Sequence, residues 1–62
     1  MEGFGENLRM RRIRSALSVP EAAEQADVSV ATWYKYENGE QWPRSESVFR
    51  RVCEVVSLKP NF

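Results

Sequence analysis

The chain has 62 residues, enough for one domain, and a chain this short buries only about 60% of the surface its unfolded form exposes. Nine Lys and Arg balance nine Asp and Glu, and 42% of the residues are hydrophobic, which excludes a disordered chain and a strongly basic one. One cysteine and no histidine exclude an internal disulfide and leave an all-protein zinc site no ligands beyond carboxylates.

In chain order, the first helix starts near Gly5 and runs to about Ser15. Phe4 and Leu8 begin its apolar face, and Ile13, Ala16 and Leu17 continue it at helical spacing. Arg9, Arg11, Arg12 and Arg14 crowd this stretch, whereas Glu21, Glu24 and Asp27 gather in the next, so a neutral chain can still show a partner a positive face. Ser18-Val19-Pro20-Glu21 has the form of a capping box, with Pro20 in the first turn where its missing N–H costs nothing. The second helix ends at Asp27, a residue type that tolerates the left-handed turn conformation. Ser29 caps a third helix from Val30 to about Asn38, and Asn38-Gly39 closes it.

Gly39 to Arg44 is a loop that contains Trp42-Pro43. A fourth helix begins around Ser45 or Ser47, with Val48, Phe49, Val52, Val55 and Val56 at intervals of three and four. Cys53 on that stripe reads as an inert small hydrophobe. Leu58, Pro60 and Phe62 form a tail that could start a fifth helix. The expectation is an all-α bundle of four to five helices and a single domain over 1–62. No apolar run approaches the roughly 20 residues a membrane span needs, and no signal peptide is evident, so a soluble cytoplasmic protein is expected.

Two helices joined by a turn of about four residues, the second opening with a capped polar end, form a helix-turn-helix over about 19–38. Ala23 falls where the helices approach most closely, and Ala22, Ala26, Val28, Trp33 and Tyr36 take positions facing a shared core. Gly5-Glu6-Asn7-Leu8-Arg9-Met10-Arg11-Arg12, Leu17-Ser18-Val19-Pro20-Glu21-Ala22-Ala23, Val28-Ser29 and Tyr36-Glu37-Asn38-Gly39 followed by Pro43 make Phe4 through Leu58 resemble the Cro/repressor-type helix-turn-helix domains, a lambda-repressor-like fold. The Tyr-Glu-Asn-Gly run with its following proline is the most specific part of the resemblance.

The resemblance implies double-stranded DNA as partner, with the helix that starts at Ser29 entering the major groove. Val30, Ala31, Thr32, Tyr34 and Lys35 are then base-facing, and Val30 and Ala31 suit thymine methyl groups. Phosphate contacts fall to the helix starts at Val19 and Ser29, to Asn38 and Arg44 beside the loop, and to Arg11 and Arg14. It also implies a partly buried ion pair between Arg12 and Glu37. Three departures from the family pattern stand out: Asp27 where glycine is usual at the turn, Trp33 where a branched aliphatic is usual, and valines, Val19 and Val30, where amides often begin both helices.

A dimeric repressor or autorepressor on a palindromic operator is the leading expectation, with the fourth helix and the tail containing Leu58 and Phe62 as its dimer surface. The competing expectation is a protein-interaction module on the same fold, such as an antitoxin. No cofactor is expected. Catalysis is discounted, because there is no nucleophile beside a base and no glycine-rich phosphate loop.

Overall fold

The computed structural model of the chain describes residues 3–56. Its helices are α1 (Phe4–Arg14), α2 (Val19–Ala26), α3 (Val30–Asn38) and α4 (Glu46–Val55), an all-α arrangement as expected. Serine starts three of the four. Ser18 Oγ accepts from the Glu21 N–H at 3.2 Å, Ser29 Oγ from that of Thr32 at 3.0 Å and Ser45 Oγ from that of Val48 at 3.2 Å. Each bond satisfies a donor that the first helical turn leaves without a carbonyl. At α2 the box is complete, because Glu21 Oε1 accepts from the Ser18 N–H at 2.9 Å.

The ends of α1, α2 and α3 share one hydrogen-bond pattern. The N–H of Leu17 reaches the Arg12 carbonyl, that of Val28 reaches Ala23, and that of Glu40 reaches Lys35. Each spans one turn and closes over a residue in the left-handed region, which glycine enters without penalty and L-residues do not. Gly39 holds that place after α3 with φ 77. Asp27 holds it after α2 with φ 60, and Ala16 after α1 with φ 59.

The turn at Ala16 corrects the expected course of the first helix. Helical geometry stops at Arg14, so Ile13, Ala16 and Leu17 do not extend one apolar face. Ile13 is 56% exposed, Ala16 is exposed, and only Leu17 packs against the core.

The core is built from Leu8, Val19, Ala22, Ala23, Ala26, Trp33, Tyr36, Val52, Cys53 and Val56, with Val28 partly buried beside it. The three alanines of α2 leave room for the indole of Trp33, which is fully buried. Thus a large ring occupies the middle of the helix-turn-helix without opening it. α3 packs on both α1 and α2, and α4 packs on α2. Arg51 Nε donates to the Ala26 carbonyl at 3.0 Å, tying α4 to an acceptor that the end of α2 leaves open.

Gly5 lies buried where α1 meets the last turn of α3. A Cβ there would lie 2.5 Å from the Tyr36 carbonyl oxygen and closer still to that of Glu37. At the same corner, Phe4 stacks on Trp42 with ring centroids 4.8 Å apart and lies 5.7 Å from the Phe49 ring. Trp42 thereby clips the α3–α4 loop to α1 while remaining 39% exposed. The suggested fifth helix and the tail residues Leu58 and Phe62 lie outside the described residues.

Candidate nucleic-acid interface

Between Ala26 and Val30 the connection is only three residues, Asp27, Val28 and Ser29. α2, this connection and α3 together occupy residues 19–38. Trp33 and Tyr36 turn the inner side of α3 into the core, and helical geometry then aims the remaining side chains outward. Val30 is 41% and Tyr34 49% exposed, and Ala31 and Lys35 are exposed with them. Val30 with Tyr34, and Ala31 with Lys35, stand one turn apart in two adjacent rows.

Thr32 does not join that face. It is only half-exposed, and its Oγ1 accepts from Ser29 Oγ at 2.8 Å. The Ser29 hydroxyl is itself occupied, since it caps Thr32 and donates to it.

Beneath the outward face, Glu37 fixes the rotation of α3. Its Oε2 accepts from Arg12 Nε at 2.6 Å and from Trp33 Nε1 at 2.6 Å. Arg12 also donates to the Leu17 carbonyl at 2.9 Å. The Arg12 and Glu37 side chains are 14% and 5% exposed, so the partly buried ion pair implied by the resemblance is present. Trp33 is a third member that the sequence reading assigned to the core alone. The legible signal was its spacing of four residues before Glu37, which places the two side chains on one side of the helix.

A groove of about 680 Å³ runs beside this network, lined by Glu6, Arg9 and Arg12 of α1, by Ser18, Val19 and Pro20, and by Tyr34, Glu37 and Asn38. Arg9, which the sequence reading did not name among the phosphate contacts, is a basic side chain of this groove. Arg11 and Arg14 do not line it. They sit roughly 140–160° around the helix from Arg9 by helical geometry, exposed on the far side of α1.

Val19 contributes little side-chain surface, being 5% exposed and part of the core. In its turn, Pro20 has no N–H and the Glu21 N–H is taken by Ser18, leaving the Val19 N–H as the available backbone donor. Hydrogen bonds from the backbone and side chain of Ser18 hold the Glu21 carboxyl below its ordinary pKa, so a negative charge stands at the same helix start. Asn38 Nδ2 donates to Glu40 Oε2 at 3.3 Å on the surface. Arg44 is exposed; burial holds the Tyr36 phenol above its ordinary pKa, and the charges of Arg44 and Arg51 offset part of that rise.

The described residues hold no group of three or more His, Cys, Asp or Glu arranged for a metal ion. Among them, no helix is long and apolar enough to cross a membrane.

Residues 4–61 match the family model of the helix-turn-helix domain. Comparison with curated proteins and with solved structures finds no match. With nearly the whole chain matched, and with a capped α3 held outward above the Arg12–Glu37 pair, the chain belongs to the helix-turn-helix domain family, and its fold is consistent with the Cro/repressor-type resemblance.

Proposed function

We propose that this single domain is a sequence-specific regulator of transcription that binds duplex DNA as a homodimer and represses from a palindromic operator. The observation that carries the reading is the outward row of Val30, Ala31, Tyr34 and Lys35 on a helix whose inner side is fixed by Trp33, Tyr36 and Glu37. A rigid helix with exposed side chains at its start is what the major groove admits. Lys35 donates to a guanine edge or a phosphate. Arg9, Asn38 and Arg44 hold the flanking backbone, assisted by the N–H groups that open α2 and α3 at Val19 and Ser29. Arg11 and Arg14, on the other side of α1, add long-range attraction rather than contacts.

The size of the described part supports the dimeric reading. The described part of the domain extends 25 × 20 × 20 Å and carries one recognition helix. Successive major-groove faces of a duplex are about 34 Å apart, so reading two half-sites takes two copies related by two-fold symmetry. The protein would act in the cytoplasm, at the nucleoid.

Equilibrium binding to a duplex enriched from a random pool, measured at two salt concentrations, tests this. Affinity should fall steeply with salt, in proportion to the phosphates neutralised. Lys35→Ala should weaken binding about 5- to 150-fold, the worth of one good base contact, with an unchanged melting temperature because Lys35 is exposed. Unchanged affinity would remove Lys35 from the interface.

The formal neutrality of the chain and the exposed apolar Val30 favour a second reading, a protein-interaction module such as an antitoxin. That module would show little affinity for any duplex at either salt concentration.

A further inference from the structure

The start of α3 carries an unusual chemistry for a surface that reads base edges. Its first two residues, Val30 and Ala31, are exposed and have no side-chain donor or acceptor. The nearby hydroxyls of Ser29 and Thr32 are bonded to each other at 2.8 Å, and Thr32 is turned partly away. Hydrogen-bonding side chains on the outward face begin only with Tyr34 and Lys35, a full turn further along. Val30 and Ala31 can therefore contact a base only through their alkyl groups. In the major groove one base atom group answers that description: the methyl at C5 of a pyrimidine, which thymine carries and cytosine lacks.

We infer that Val30 and Ala31 recognise a pyrimidine C5-methyl group, and that this part of the interface accepts 5-methylcytosine in place of thymine. The inference rests on the proposed binding of duplex DNA and adds its chemical selectivity. Thymine and 5-methylcytosine differ at position 4, an acceptor in one and a donor in the other, and two alkyl side chains do not sense that difference. DNA methylation at the position would strengthen binding to an otherwise poor site.

The test uses the full chain and the consensus duplex enriched from a random pool. Each thymine is replaced in turn by uracil, which keeps every hydrogen-bonding group and removes the methyl. At one or two thymines per half-site, uracil should weaken binding about fourfold for each methyl lost. Placing cytosine at that position should weaken binding, and 5-methylcytosine should recover about fourfold over cytosine. The Val30→Ser, Ala31→Ser double variant should bind the thymine and uracil duplexes equally, with its helical circular dichroism intact.

Tolerance of uracil at every thymine, a consensus without thymine in the half-site, or full uracil sensitivity in the double variant each overturns the inference while leaving DNA binding in place. Failure to enrich any duplex refutes DNA recognition itself, and the inference with it.

Discussion

Glu37→Ala should cost about 2–4 kcal/mol of folding stability and lower the melting temperature by about 10–25 °C. Two donors lose their acceptor at once, the Arg12 guanidinium and the Trp33 indole N–H, both bonded to Glu37 Oε2 at 2.6 Å. Removing one member of a buried pair leaves an uncompensated charge, which is worse than losing a bond. The Arg12 side chain is 14% exposed and keeps the Leu17 carbonyl, which holds the loss below that of a fully enclosed pair.

A domain of this size has only a few kcal/mol in reserve, so a substantial part of the variant should be unfolded near 37 °C. Glu40→Ala, on an exposed residue, is the control and should stay within about 0.5 kcal/mol of the parent. Equal thermal melts for the two variants would show that the network contributes nothing. Trp33→Phe deletes the indole N–H together with part of the buried ring, so its loss sets an upper bound on that donor's share.

Gly5→Ala should also destabilise, by about 1–3 kcal/mol in urea unfolding. The sign is what makes the measurement decisive. Alanine is favoured over glycine inside a helix by up to about 1 kcal/mol, and Gly5 lies inside α1. Here, however, the new methyl would press on the Tyr36 and Glu37 carbonyls. These are backbone atoms, so relief requires α1 to lift away from α3. The same displacement would disturb the Arg12–Glu37 geometry, so DNA affinity should fall with stability. A variant more stable than the parent would show that the two helices can separate without loss.

These two residues also mark what a sequence can and cannot disclose. The helix starts at Ser18 and Ser29, and the end at Asn38-Gly39, were legible because the chemistry is local: a hydroxyl and the N–H it accepts from lie three residues apart. Asp27 was legible for the same reason, as a residue type suited to its backbone angle. Arg12 and Glu37 are 25 residues apart, and only the family resemblance connected them. Trp33 was placed correctly in the core, yet burial alone says nothing of where the indole N–H points.

Arg9 became distinguishable from Arg11 and Arg14 only once the direction of Leu8 fixed the rotation of α1. The Phe4–Trp42 stack joins the first helix to a loop far along the chain, and nothing in either local sequence announces it. Ile13 was misassigned because its helical spacing looked continuous with Leu17, while the helix between them ends. Alanine gives no warning of a left-handed turn, so the break at Ala16 was invisible.

That silent turn makes the protein a convenient subject for dissection. An alanine at φ 59 occupies a conformation that costs an L-residue roughly 1–2 kcal/mol, part of which glycine would return through a more flexible unfolded chain. Ala16→Gly should therefore raise the urea midpoint by a margin worth about 0.5–1 kcal/mol, and a lower midpoint would show that the turn is relaxed as it stands. Because residue 16 is exposed and belongs to the turn after α1 rather than to α3, the substitution would serve as a general suppressor. Weakened variants could be rebuilt on that background, so that a lost interaction with an operator is no longer confused with a lost fold.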